Sequence, residues 1–159
     1  GWGAFATGVF FFIMFIGGCA GSTTCSIKIF RYQVLYETAK MQMKHLIRPH
    51  GIFIAKFNGQ PISDEVENSV MSFFFLFMLT FAVLAGLLHF IGLDFLTAIS
   101  AAASAICNVG PALGDIIGPT GNYSSLPDSA KWVLSAGMLL GRLELFTVLV
   151  LFAPWFWRG

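Results

Sequence analysis

The stretch that most constrains this chain is Asp94 to Leu113, DFLTAISAAASAICNVGPAL. A helix needs about 20 consecutive apolar residues to cross a bilayer, and this stretch is too interrupted for that, although longer apolar runs flank it on both sides. The pattern predicts a re-entrant unit. A small-residue helix from Asp94 to Ile106 enters the membrane, and Cys107-Asn108-Val109-Gly110-Pro111 returns as extended backbone. Such backbone is tolerated at membrane depth only where it is packed in protein or lines a water-filled path. A non-helical segment after a short helix can aim carbonyl oxygens at a dehydrating cation. Asp94 is placed to cap the helix, and the Ala/Ser run from Ser100 to Ala105 suits tight packing. The negative end of the helix dipole falls on the returning segment. Gly110 admits backbone angles other residues resist, and Pro111 prevents a return to helix. The plainer alternative is an interfacial helix followed by a turn.

Composition supports a membrane setting. Of 159 residues, 57% are apolar and 11% charged, 18 are Phe, and mean hydropathy is +0.79. A soluble domain usually carries about 25% charged residues. The chain opens on Gly1, with no charged region or cleavage site before its first apolar run, so no signal peptide is expected and a longer N-terminal part is. Six of nine Lys/Arg (Lys28, Arg31, Lys40, Lys44, Arg48 and Lys56) lie between the first two apolar runs, Arg158 lies at the far end, and residues 111–130 hold none. The positive-inside rule then puts the 31–65 segment and the C-terminus in the cytoplasm and the 112–128 loop outside.

In chain order, residues 1–30 read as a crossing from outside to inside. Its first half is a plain apolar helix; its second, Gly17-Gly18-Cys19-Ala20-Gly21-Ser22-Thr23-Thr24-Cys25-Ser26, is small and polar. Gly17 and Gly21 form a GxxxG, which serves close helix packing. Weak helix propensity and competing hydroxyls instead favour a break into a loop within the membrane. The connection at 31–65 predicts a helix with Lys40, Lys44 and Arg48 at four-residue intervals, stopped by Pro49. That basic stripe suits anionic headgroups or the acidic face of a cytoplasmic partner. Asn58-Gly59 predicts a type I′ hairpin, kept short by Pro61. Ser63, followed by Asp64, Glu65 and Glu67, reads as an N-cap with an acidic first turn. Residues 66–91 form the second crossing, with His89 as an interfacial side chain, and 129–156 the third.

The third crossing carries Gly137 and Gly141 in another GxxxG, then Arg142 and Glu144 inside the apolar run. Charges at that depth face a cavity or a partner charge, and an ordinary interhelix pair is the simpler outcome. Two residues apart, they point to different partners. Trp2, Trp132, Trp155 and Trp157 sit where interfacial belts form. Cys19, Cys25 and Cys107 show no metal-ligand or disulfide spacing and read as small buried side chains.

FIGGCAGST (15–23), Ile27-Lys28 with Arg31, NVGPALG (108–114), AKWVL (130–134) and GRLELFTVLVLFAPWFWR (141–158) occur in this order. Together they closely resemble the C-terminal third of the TrkH-type potassium uptake subunits, in the superfamily shared with KtrB. The resemblance covers essentially the whole chain. It implies an all-α integral membrane fold of helix–pore loop–helix repeats, channel-like, with a small cytoplasmic helix and hairpin. Residues 1–30 then correspond to the second helix of a third repeat. Residues 66–156 correspond to a complete fourth repeat: helix 66–91, pore helix 94–106, filter 107–111, external loop 112–128 and helix 129–156, followed by a cytoplasmic 157–159. The family's filter falls on Cys107, Asn108, Val109 and Gly110, with Pro111 at its exit, and its gating loop on Gly17 to Ser26. Its pore-facing charge falls on Arg142, with Glu144 as a supporting charge. The resemblance further implies transported K⁺ with no bound cofactor, a cytoplasmic nucleotide-binding ring subunit, a homodimer of the full-length chain and a bacterial inner membrane. Proton or sodium coupling stays open. The chain departs from the family where further glycines would follow Ser22-Thr23: it has Thr24-Cys25-Ser26.

Two rivals follow from the residues. Leu113-Gly114-Asp115 approaches the glycine-x-glycine-aspartate of intramembrane proteases, but Ala112 breaks the pattern and no second aspartate lies within a crossing, so no enzyme is expected. A secondary transporter with a re-entrant loop would bind its ion through side chains rather than carbonyls. Nothing points to nucleic acid.

Overall fold

The computed structural model describes residues 3–19, 25–51, 53–113, 116–118 and 121–142. Its order is α1 (Ala4–Ile13), α2 (Ile29–Ile47), the paired strands β1 (Lys56–Phe57) and β2 (Gln60–Pro61), α3 (Asp64–Phe90), α4 (Phe95–Cys107), a 3₁₀ turn (Tyr123–Ser125) and α5 (Asp128–Arg142). It is mostly helical.

The apolar run opening the chain is helical for ten residues. It then unwinds through Phe15 N–H→Phe12 O and Ile16 N–H→Ile13 O, at 3.2 and 3.0 Å, before the glycine pair. α2 starts at Ile29, two residues ahead of the expected connection, and ends ahead of Pro49, as the steric bar to helix before proline requires. Asn58 (φ 49°) and Gly59 (φ 83°) both take positive φ, as a I′ turn needs, and join β1 to β2 in antiparallel register. Ile62 N–H→Ala55 O, 2.9 Å, extends the pairing by one rung.

α3 is 27 residues long, about 40 Å at 1.5 Å per residue, and is the one helix among the described residues long and apolar enough to cross a membrane. Ser63 holds its N-cap position, but the side chain makes no capping bond. The acidic first turn of Asp64, Glu65 and Glu67 complements the helix dipole there instead. Only one stripe of α3 faces protein: Val70, Phe73, Phe77, Leu84 and Leu88 are buried, while Phe75 and Phe90 on its other faces are 69% and 90% exposed. Phe15 leans edge-on against Phe77 and Phe81, and Arg31 lays its guanidinium 3.6 Å above the Phe73 ring. Together they bind the end of α1 and the start of α2 to α3.

α4 lies at the centre and packs mainly against α5 and α3. Between Thr97 and Cys107 only Ile99 is not buried, so the helix presents small side chains inward all round. The two glycines of α5 set the approach. A Cβ on Gly137 would stand 3.0 Å from Leu84 and 3.4 Å from Ala105, and one on Gly141 would stand 2.0 Å from the Ile106 carbonyl oxygen. The GxxxG is therefore a seat for α4. Met14, Ala103 and Leu113 close a second small cluster where α1 meets α4.

Candidate functional site

The turn into α4 is built by its sequence. Asp94 Oδ2 accepts from Leu96 N–H at 3.3 Å, Gly92 takes φ 109°, and His89 Nδ1 lies 3.0 Å from the Leu93 carbonyl. His89 braces this turn.

At the other end the chain reverses. The helix runs one residue further than the spacing predicts, so Cys107 is helical and buried. Asn108 is not extended either; it takes the left-handed conformation, φ 52° and ψ 42°. Asn108 N–H→Ala105 O (3.2 Å) and Val109 N–H→Ser104 O (3.0 Å) form the two bonds of a Schellman closure. That closure carries the helix through Cys107 and releases the chain only at Val109. Gly110 then turns it again at φ 104°.

The chain next doubles back along its own helix. Ser104 Oγ donates to Gly110 O at 2.9 Å. Four residues earlier, Ser100 Oγ donates to Leu113 O at 2.8 Å and accepts from Leu113 N–H at 3.1 Å. Two serines at i, i+4 share a helix face, and both are fully buried, so they tie the returning strand down at three-residue intervals. The Tyr123 hydroxyl reaches in from the following loop and also donates to Gly110 O. Asn108 turns its amide away from the strand, Nδ2 donating to Met138 O on α5 at 2.9 Å.

These bonds leave a definite set of acceptors. Among the described residues the carbonyls of Ser104, Ala105, Gly110 and Leu113 are engaged, whereas those of Cys107, Asn108 and Val109 accept no hydrogen bond. They gather at the negative end of α4, where partial charge and unclaimed lone pairs favour a cation. Asn108, Val109, Gly110 and Pro111 are exposed on this face. No cluster of three or more His, Cys, Asp or Glu occurs among the described residues.

The second glycine-rich stretch lies against the same helix end. Gly17 N–H→Ile27 O (2.9 Å) and Ile29 N–H→Gly18 O (3.2 Å) close its neck, and Ile16 and Ile27 form a parallel bridge. A Cβ on Gly17 would meet Ser26 O at 2.8 Å and Ile27 O at 2.9 Å, so only glycine fits there. Ser26 Oγ donates to Met14 O at 2.9 Å and Tyr32 OH to Phe15 O at 3.2 Å, satisfying the carbonyls that α1 leaves open. The Ser26 side chain lies within reach of the Cys107 thiol. Arg142 Nη1 donates to Cys25 Sγ at 3.5 Å across 117 residues of sequence. Cys25, Ser26, Cys107 and Arg142 thus converge, while Cys19 is exposed rather than buried, because it stands beyond the neck. Ala20, Gly21, Ser22, Thr23, Thr24 and Glu144 lie outside the described residues.

The sequence alone places Ser100 and Ser104 in helix packing and gives Tyr123 no role. Two hydroxyls one turn apart in an alanine helix, both needing partners when buried, were the available signal. For Tyr123 the signal was slighter: an aromatic alone in a loop of Gly, Pro, Asn and Ser.

The TrkH family of cation transport proteins matches residues 2–158. The Trk system potassium uptake protein TrkI of Halomonas elongata is 52% identical over 157 residues, 99% of this chain and 32% of that protein. The Trk system potassium uptake protein TrkH of Vibrio parahaemolyticus is 38% identical over 158 residues, again 99% of this chain and 32% of the relative. The crystal structure of the potassium transporter TrkH from Vibrio parahaemolyticus superposes with a TM-score of 0.89 at 37% identity, covering 99% of this chain and 33% of that one. The chain thus spans about a third of the length of the relatives it matches.

Proposed function

This chain belongs to the TrkH cation transport family, and from that premise we propose that it forms the C-terminal third of a potassium uptake subunit in a bacterial inner membrane. It supplies the second helix of a third helix–pore loop–helix repeat and the whole of a fourth, around a pore completed by the rest of the full-length protein. Backbone oxygens of Cys107, Asn108, Val109 and Gly110 replace part of the hydration shell of K⁺. The reading is carried by one observation: at the negative end of α4 the chain folds back, and among the described residues the carbonyls of Cys107, Asn108 and Val109 accept no hydrogen bond. The names of the relatives, both potassium uptake proteins, supply the ion.

The stretch from Gly17 to Ser26 gates the path below this segment. Arg142 restrains it through Cys25 and keeps a positive charge at the constriction, with Glu144 in support. The segment 31–65 and the C-terminus face the cytoplasm, where a nucleotide-binding ring subunit acts on the gate, and the full-length chain pairs as a homodimer. The side chain of Asn108 braces the segment rather than binding the ion. Inward flux follows the membrane potential, about 2.3 kcal/mol per charge per 100 mV, and no covalent chemistry is involved.

Gly110→Ser in the full-length protein tests this. Within this chain a Cβ at Gly110 meets nothing within 4 Å, and the substitution strains the positive φ. Discrimination of K⁺ over Na⁺ in uptake assays is expected to fall at least tenfold with membrane abundance retained. Unchanged discrimination would remove the backbone-oxygen reading and favour a transporter that binds its ion through side chains.

A further inference from the structure

The basic stripe of α2 takes no part in the ion path, and it lies along a cleft. Between α2 and the stretch 53–58 two cavities adjoin, with Glu37 and Lys56 in the walls of both. The first, 550 Å³, is lined chiefly by Ile29, Tyr32, Tyr36 and Phe57, with Gln33 and Asn58. The second, 260 Å³, sets Lys40, Lys44 and Lys56 against Met41, Phe53 and Ile54. Lys40 pairs with Glu37 at 3.5 Å, whereas Lys44 and Lys56 make no ion pair among the described residues. The cleft therefore grades from aromatic to cationic along one helix. Its aromatic end stands beside the long apolar helix, where Tyr32 meets Phe74 of α3 edge-on with ring centroids 5.6 Å apart. Lys40 and Lys44 follow Tyr32 by eight and twelve residues, about 12 and 18 Å along the axis. That is the polarity order of a phospholipid, whose chains lie in the hydrocarbon and whose phosphate lies at the interface. A soluble partner would use the charge and leave the apolar arm idle.

We propose that this cleft holds one anionic phospholipid of the inner leaflet, its phosphate on Lys44 and Lys56 and the start of its acyl chains against Tyr36, Phe57 and Ile29. The proposal rests on the placement of residues 31–65 at the cytoplasmic face, where anionic headgroups attract basic segments next to a membrane crossing, and it gives that face an occupant. The occupant touches the gate indirectly. α2 begins at Ile29, whose N–H donates to Gly18 O at the neck of the glycine-rich stretch. A lipid lodged against Ile29 steadies that bond, so anionic lipid lowers resting K⁺ flux.

The test uses the purified full-length protein. Phosphatidylglycerol retained after detergent washing is measured by native mass spectrometry, and resting K⁺ flux is compared in phosphatidylethanolamine vesicles with and without phosphatidylglycerol. The parent is expected to retain the lipid and to leak at least threefold less in the anionic vesicles. Lys44→Gln combined with Lys56→Gln is expected to lose most of the retained lipid and to leak equally in both. Lys131→Gln, which removes a lysine from α5 instead, is expected to behave like the parent. A parent that retains no phosphatidylglycerol, or a double variant that retains as much, would overturn the proposal. So would competition by glycerol phosphate, which carries the charge without the chains. Equal leak of the parent in both vesicles would overturn the link to the neck. A double variant that keeps its lipid but no longer answers the cytoplasmic ring subunit would make the lysines a protein-docking face and equally overturn the lipid. Retention is read without ion movement, and K⁺ over Na⁺ discrimination is expected to stay at the parent's value, so this result is separate from the fate of the ion path.

Discussion

Two interruptions of helix meet at the end of α4, and they are held in different ways. The strand after α4 is braced by side chains: Ser100, Ser104 and Tyr123 hydroxyls fasten it, and Asn108 ties its first residue to α5. The stretch after α1 is closed at its neck by backbone bonds, from Gly17 to Ile27 and from Ile29 to Gly18. Its described side-chain contacts either finish the end of α1 or, at Cys25, reach Arg142. A side-chain brace fixes where individual carbonyls point. A backbone neck fixes only where a loop begins and ends. The first suits a segment that must present oxygens in one geometry, and the second suits a segment whose position is to change.

That contrast breaks most readily at the helix seat both share. Gly141→Ala places a methyl group 2.0 Å from the Ile106 oxygen, against backbone that has no room to yield. Overpacking of this kind costs about 3 kcal/mol. Thermal unfolding of the purified full-length protein is expected at markedly lower temperature, with both uptake and abundance reduced. A variant as stable as the parent would show that α5 does not seat on α4 as described.

A more selective break is Gly17→Ala, where the methyl would press on Ser26 O and Ile27 O at 2.8 and 2.9 Å. Opening this neck costs about 1–2 kcal/mol. It is expected to raise resting K⁺ flux severalfold while leaving K⁺ over Na⁺ discrimination within twofold. A loss of discrimination instead would mean that the two regions are not separable. The smallest effect is expected from Cys25→Ala. Sulfur is a weak acceptor, and Arg142 has further interactions, so resting flux should rise less than threefold and stability stay within about 0.5 kcal/mol. A larger rise would make this contact the main restraint on the loop.

Much of this architecture was legible where the cause is local. Asp94 caps α4, Asn58-Gly59 turns the hairpin and Pro49 follows the end of α2, each because a neighbour within a few residues demands it. The helix ends at Cys107 rather than Ile106 for a local reason too: Asn, after Gly, is the residue that best tolerates the left-handed closing position. What could not be read was partnership at a distance. The hydroxyl of Ser100 meets residue 113, Tyr123 meets residue 110 and Asn108 meets residue 138, and no periodicity encodes those pairings. The hydroxyl of Ser63 failed in the opposite sense, since a good capping residue at the right place makes no capping bond.

Gly141 and Arg142 are consecutive. The first lies on the Ile106 carbonyl and the second reaches the Cys25 sulfur, so a single peptide link joins the end of α4 to the stretch that follows α1. With no side chain at Gly141 to act as a cushion, a tilt of that turn of α5 would bear directly on the Ile106 carbonyl.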